Sequence, residues 1–356
     1  MSRKNKKFQF IDLFAGIGGF HYAMHSAGGE CVFASEWDKY ARITYEHNLK
    51  KISPQLFKKD NFNWDINNAD PEKIPSFDIL CAGFPCQPFS HAGLKKGFED
   101  TRGTLFFNIA EIINTKIRQG RAPKVILLEN VKGLKNHDKG NTLSTIINVL
   151  EELGYRVKFE VLNSRNFGLP QNRERLFIVA WLKSKSSPID FQFPYGIDAN
   201  DQLIFDPKIL HEKVKTTQLK QILEQRAPEK YTISDKLFQG HKRRLEEHKL
   251  KGNGFGYSLF NGLSTYTSTI SARYYKDGSE ILVSRGTGKR PRKITPREAA
   301  RIQGFPANFH IDAVSTAQIY KQFGNSVAMP VIDAIASELL PLIGVETHSG
   351  SGQWPI

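Results

Sequence analysis

FQFIDLFAGIGGFHYAMHSAGGECVFASEW, residues 8–37, reads as strand, turn, helix and strand in succession. Phe8–Phe14 is a short apolar strand, and Phe14-Ala15-Gly16-Ile17-Gly18-Gly19 is the turn that leaves it. Phe20, Ala23 and Met24 fall at helical spacing, and Gly28-Gly29 stops that helix. Glu30–Trp37 is the next strand, and Glu36 stands near its end, about 20 residues after the turn. Glycines at such a turn let backbone approach a ligand closely, and an acid at the next strand end suits the hydroxyls of a ribose. Together they point to a nucleoside-containing cofactor. The third glycine is adjacent to the second, so the spacing is not GxGxxG. Dinucleotide readers use the longer spacing to seat a pyrophosphate on the helix N-terminus. S-adenosylmethionine, which has no phosphate, suits the shorter one. Trp37 packs either on an adenine face or in the core; Asp65 is either an adenosine contact or the N-cap of a helix over 66–73.

The alternation continues outward from this unit. Strands are expected at 77–84, 125–131 and 175–182, with helices at 38–48, 104–118 and 141–153. Strand–helix alternation predicts a parallel α/β sheet covered on both faces, with ligands at the carboxyl ends of its strands. From about 191 the pattern breaks. Residues 205–250 are charged and partly helical; 252–290 are rich in Gly, Ser, Thr and Tyr, with short β-like runs TSTISARYY and EILVSR. Helical patterning returns from about 297.

The 356 residues carry a net charge of +14, and residues 201–300 hold 20 basic against 11 acidic side chains. That region meets a polyphosphate or is a solvated surface. Three cysteines, Cys31, Cys81 and Cys86, argue against a disulfide framework, and no Cys/His set has zinc spacing, so no metal is expected. No apolar run of the roughly 18 residues that span a membrane is evident, and no signal-peptide segment follows the basic start. A cytoplasmic protein is expected, away from membranes.

The strand FDILCAGF ends in Pro85-Cys86-Gln87-Pro88-Phe89-Ser90. Flanking prolines fix the local backbone and aim the cysteine at a strand exit, the place for a nucleophilic thiolate. Cys81, in mid-strand, reads as a buried small apolar residue. VILLENV ends in Glu129-Asn130-Val131, where an acid after four apolar residues could hold a proton or simply lie at the surface. Gln171-Asn172-Arg173-Glu174-Arg175 precedes a strand, and its two arginines share a side if extended.

FIDLFAGIGGF, GFPCQPFS, ENVKGL, QNRERLF, RKITPREAARIQGFP and KQFGNSV together resemble, in kind and order, the DNA cytosine-5 methyltransferases of bacterial restriction-modification systems. The resemblance covers the chain except about 195–290. It implies a Rossmann-like S-adenosylmethionine-dependent methyltransferase sheet with a smaller, mostly irregular or β target-recognition domain. It implies a cytosine flipped out of duplex DNA, attack of Cys86 on carbon 6, and methyl transfer to carbon 5. Glu129 would hold a proton on the base, Arg175 would donate to its carbonyl, and Arg173 would steady Cys86.

By the same resemblance Phe14, Gly16, Gly18, Glu36, Trp37, Asp65, Ile66, Pro85, Asn325 and Ser326 line the cofactor site, which leaves S-adenosylhomocysteine as product. Ser90, Lys95, Lys96 and Arg102, with Gly93, Gly97 and Gly103, belong to a mobile loop that closes on DNA. Arg273, Arg285, Arg290 and Arg292 would meet DNA from the recognition domain. The expected division is a catalytic domain of residues 1–190 plus 325–348, a recognition domain of 191–296, and a hinge of 297–324. A monomer genetically linked to a cognate restriction endonuclease is implied. Three alternatives stand beside this reading: a tRNA cytosine-5 methyltransferase, a catalytically silent DNA-binding regulator on the same scaffold, and a nicotinamide-dependent Rossmann enzyme.

Overall fold

The computed structural model describes residues 8–58, 61–85, 105–182, 190–254 and 256–345. The chain divides into two compact units. The first takes Met1–Leu162, Glu174–Tyr195 and Val331–Gly352; the second takes Asn163–Arg173, Gly196–Pro330 and Gln353–Ile356.

The first unit is built on a seven-stranded sheet. Its strands are β1 (Gln9–Leu13), β2 (Glu30–Ser35), β3 (Phe62–Asn63), β4 (Ile79–Gly83), β5 (Val125–Val131), β6 (Tyr155–Asn163) and β7 (Glu174–Leu182). Their order across the sheet is β3-β2-β1-β4-β5-β7-β6. Its helices are α1 (Gly19–Ser26), α2 (Lys39–Leu49), α3 (Pro54–Lys58), α4 (Leu105–Arg118) and α5 (Asn141–Glu152). Alternation along β1 sends Ile11 and Leu13 into a core with Leu80, Ala82, Ile126 and Leu128. Phe106, Ile109 and Ile113 of α4 and Leu143, Ile146 and Leu150 of α5 complete that core. Phe10, on the other face, meets the His21 ring of α1 edge-on at 5.4 Å. The sheet is thus covered on both sides.

β1, β2, β3, β4 and β5 are mutually parallel, as the alternation requires. β7 is not: it runs antiparallel to β5, Glu129 opposite Phe177 and Val131 opposite Arg175. The wholly parallel sheet expected from sequence is therefore corrected to a mixed one. Only a short 3-10 turn, Ser164–Phe167, and no α-helix lies between β6 and β7, and without a helical crossover a return strand pairs antiparallel. β6 itself went unread because Arg156, Lys158 and Glu160 interrupt its apolar pattern, as an edge strand allows.

The second unit is poor in regular structure. It holds a two-stranded ribbon of β8 (Gly196–Ile197) and β9 (Leu203–Ile204), and a three-stranded sheet of β10 (Leu259–Phe260), β11 (Leu282–Val283) and β12 (Arg292–Lys293). Its helices are α6 (Leu210–Lys213), α7 (Asp235–Leu250), α8 (Pro296–Ile302) and α9 (Thr316–Asn325). TSTISARYY forms no strand: Thr267 makes an isolated bridge to Gln171, and the rest turns. Thr295 caps α8 in a reciprocal box with Glu298, whose carboxylate also takes both terminal nitrogens of Arg292 at 2.7 and 2.8 Å.

The stretch Thr316–Ile343, which holds α9, α10 (Met329–Leu339) and a closing 3-10 turn, is long and apolar enough to cross a membrane by length and composition alone. Its most apolar window is 67% buried inside the protein, and residues 326–328 break the helix, which is the behaviour of core helices.

Candidate active site

The turn after β1 has an unusual backbone. Phe14, Gly16 and Gly18 all take positive φ, at 55°, 57° and 89°. Phe14 is the costly one, since a side chain in that region is strained and such strain gathers at functional sites. Ala15 N–H donates to Ser35 O at 3.0 Å, and Gly18 N–H to Ala15 O at 2.8 Å, so the turn is tied to β2 and to itself. A Cβ on Gly18 would stand 2.3 Å from Leu49 Cδ1, so a larger residue there would displace that side chain as well as strain the backbone. A Cβ on Gly16 would meet nothing within 4 Å, so that side of the turn is open to a ligand.

Glu36 faces this turn. Its Oε2 accepts Gly16 N–H and its Oε1 accepts Asp38 N–H, each at 2.7 Å. Burial pushes the Glu36 carboxyl above its ordinary range; the two N–H groups and the Arg42 charge pull it back. Each oxygen keeps a lone pair for a ribose hydroxyl. Trp37 is 74% exposed, which decides against a core role. Asp65 is the cap of a short 3-10 turn, Ile66–Asn68, in place of the longer helix read from sequence; it accepts from the Asn67 backbone at 3.0 Å. Ile66 is buried beside it, and Pro85 is exposed at the exit of β4. An open glycine turn, a paired acid with spare acceptors and a bare indole fit the adenosyl end of S-adenosylmethionine. Asn325 and Ser326 belong to the second unit, where α9 ends.

Glu129 stands two residues before the end of β5, opposite Gly83, the last residue of β4. Its Oε1 lies 3.1 Å from Arg175 Nε on β7, and both side chains are largely buried. Burial lowers the Arg175 pKa, and the Glu129 charge opposes that shift. Asn130, which the sequence reading gave no role, reaches back from β5: its Nδ2 donates to Phe84 O at 2.9 Å. It thereby holds the backbone two residues before Cys86. Only its place beside Glu129 in the Glu-Asn-Val run could have flagged it.

Cys86, Ser90, Lys95, Lys96 and Arg102, with Gly93, Gly97 and Gly103, lie outside the described residues. Arg173 is 2% exposed and donates to three carbonyls of its own unit: Ile270 at 3.3 Å, Gly324 at 3.1 Å and Ser326 at 2.6 Å. Spacing of two therefore did not give the two arginines one job: Arg175 serves Glu129 and Arg173 gathers backbone. Among the recognition arginines, Arg273 is exposed, Arg285 is held by Glu229 at 2.8 Å, and Arg290 lies 3.6 Å from Asp235. Arg292 departs from the expected DNA-facing set. It is buried with its guanidinium committed to Glu298, because a lone buried cation would be too costly.

Residues 8–340 match the C-5 cytosine-specific DNA methylases. The chain belongs to that family. Among relatives, it is 53% identical over 344 residues to the type II methyltransferase M1.ScrFI of Lactococcus lactis subsp. cremoris, covering 96% of this chain and 80% of that one. It is 52% identical to M.NlaX of Neisseria lactamica, covering 93% and 96%. The Dnmt2 methyltransferase of S. pombe shares the fold, with a TM-score of 0.70 at 20% identity over 95% of this chain and 99% of that one. As a C-5 cytosine-specific DNA methylase the chain transfers a methyl group to cytosine carbon 5 in DNA. This places the α/β sheet among the S-adenosylmethionine-dependent methyltransferase folds.

Proposed function

We propose that this methylase acts on one cytosine of a short, specific duplex site and protects DNA from a cognate restriction endonuclease, as a cytoplasmic monomer. The type II methyltransferase names of its relatives support the biological setting. The observation that carries the chemical reading is the buried Glu129–Arg175 pair at the carboxyl end of β5. In this reading Glu129 bonds the ring nitrogen and exocyclic amine of a flipped cytosine, and Arg175 donates to the base carbonyl. The Cys86 thiolate adds to carbon 6, which breaks aromaticity and makes carbon 5 nucleophilic. Bound S-adenosylmethionine supplies the methyl group at that carbon. Water takes the carbon-5 proton, the electron pair of that carbon–hydrogen bond re-forms the double bond to carbon 6, and the pair of the carbon–sulfur bond returns to Cys86 as that bond breaks. Phe14, Gly16, Gly18, Glu36, Trp37, Asp65, Ile66, Pro85, Asn325 and Ser326 are the proposed cofactor residues. Arg273, Arg285 and Arg290 are the proposed phosphate and base contacts from the second unit, with Ser90, Lys95, Lys96 and Arg102 from the chain after Cys86.

Methyl-labelled S-adenosylmethionine offered with duplex DNA and with total tRNA tests the reading. Label in DNA, lost in Cys86→Ala, is expected, with bisulfite mapping giving the site. Label in tRNA alone would overturn the choice of substrate.

A further inference from the structure

Two tryptophans stand in solvent at neighbouring strand exits of the first unit. Trp37 lies two residues beyond Ser35, the end of β2, and Trp64 one residue beyond Asn63, the end of β3. Ser35 and Asn63 are paired across the sheet, and Glu36 N–H donates to Asn63 O at 3.1 Å. Trp64 is 68% exposed, close to the 74% of Trp37. Exposed indoles at the ligand edge of an α/β sheet suit a binding surface.

Arg42 of α2 links the two exits. Its guanidinium carbon sits 4.8 Å from the centroid of the Trp64 ring, within cation–π range. The Nη1 of the same group donates to Trp37 O at 2.6 Å and to Glu36 O at 3.1 Å. Arg42 N–H donates to Asp38 O at 3.0 Å, so residues 36–38 are held from one side by a single residue. A planar fork can stack and donate at once; an ammonium cannot hold this geometry. Trp64 contributes the plane that fixes the fork.

Resting on the cofactor reading above, we propose that Arg42 and Trp64 form a positioning pair that presents the Glu36 carboxylate and the Trp37 ring to a purine nucleoside. Arg42 clamps the carbonyls of Glu36 and Trp37, and Trp64 holds Arg42 in the clamping rotamer. The pair adds affinity for the adenosyl end of the cofactor and touches neither the base nor the methyl group.

The test is calorimetric titration of S-adenosylhomocysteine into the full chain, with steady-state kinetics on duplex DNA beside it. Arg42→Ala and Trp64→Ala each weaken binding about two- to fivefold, the scale of an exposed cation–π contact. The double variant is no weaker than either single one, because both break the same clamp. Trp64→Phe retains most of the affinity, since a phenyl face still receives the guanidinium, whereas Arg42→Lys does not. The KM for S-adenosylmethionine rises while kcat and the KM for DNA stay put. Melting of the unliganded variants within a few degrees of wild type shows that the fold survives; if an alanine variant melts early, the Phe and Lys variants carry the comparison. Unchanged binding in Trp64→Ala, or single losses that multiply in the double variant, overturns the pair. Failure of the wild-type chain to bind S-adenosylhomocysteine overturns the cofactor reading and the pair with it.

Discussion

Arg175 Nε stands 3.1 Å from Glu129 Oε1, joining antiparallel neighbours β7 and β5 at the end where the parallel strands deliver their ligands. The carboxylate is buried enough to need this cation and still open enough to meet a base. Glu129→Gln should lower kcat by about 10² to 10⁴, the worth of a positioned proton-holding group, with little change in S-adenosylhomocysteine affinity. Arg175→Ala should cost on the order of 2 kcal/mol in urea unfolding, because a mostly buried charge loses its partner. In the double variant Glu129→Gln, Arg175→Ala part of that cost should return. Strict additivity in this cycle would show that the pair contributes no coupling.

Asn130→Ala should act through Cys86. Without the bond from Asn130 Nδ2 to Phe84 O, the approach to the nucleophile loosens. A small misplacement near the chemistry costs up to about 10² in rate, so kcat should fall about 10- to 100-fold. Covalent capture of DNA bearing 5-fluorocytosine should slow in proportion, and normal capture rates in this variant would refute the role.

Arg173→Ala should be a folding defect of the second unit. Three buried carbonyls, those of Ile270, Gly324 and Ser326, lose a charged donor at once. Hydrogen bonds to charged groups contribute roughly 1.5–3 kcal/mol each, less than additively, so a loss of about 3 kcal/mol or more is expected in chemical denaturation. A fully stable variant with lowered kcat would instead assign Arg173 to the chemistry.

Acid sensitivity should trace to His21. Its ring bonds Tyr45 Oη at 2.7 Å and Ser53 Oγ at 2.8 Å, and burial, with a smaller contribution from His25, lowers its pKa to about 3. Below its ordinary value of 6.5 the unfolded chain takes a proton that the folded chain refuses. The stability tied to His21 is therefore full above pH 6.5 and declines by about 1.4 kcal/mol per pH unit as pH falls toward 3. His21→Gln should reduce proton uptake on unfolding between about pH 6 and 4 by about one proton. An unchanged slope of unfolding free energy against pH would exclude His21 as the source.

Asp12 should show the opposite sign. Both of its carboxylate oxygens are buried, and burial, then the nearby Glu36, raise its pKa well above 3.8 against a smaller downward pull from the His21 backbone N–H. Above that ordinary value the unfolded chain releases a proton that the folded chain keeps, so stability falls as pH climbs toward the raised value. Asp12→Asn should gain on wild type steadily as pH rises from about 4. A difference between the two proteins that does not vary with pH would mean that Asp12 is ionised in the fold.

Much of this molecule was legible in its residues. Ile11 and Leu13 against Phe10 and Asp12 announce a strand with two different faces, and the apolar residues of α4 announce a helix, because both periodicities are local properties of the chain. Glu36, Glu129 and Cys86 could be singled out because strand ends in α/β sheets are where ligands bind. The ordered motifs carried the family, which the match over residues 8–340 then established. Pairing across distance was not legible. Nothing local says that β7 runs antiparallel into the gap between β5 and β6, or that Trp64 covers Arg42 while Arg42 clamps Trp37. Arg173 and Arg175 look alike in sequence, and so do Arg290 and Arg292. Burial separates them: Arg173 and Arg292 are sealed in and must spend their donors on carbonyls and on Glu298, whereas Arg175 keeps an edge toward the site. Local chemistry determined which residues were available for the reaction; only the tertiary structure decided which charges were desolvated and therefore which were committed to holding the fold.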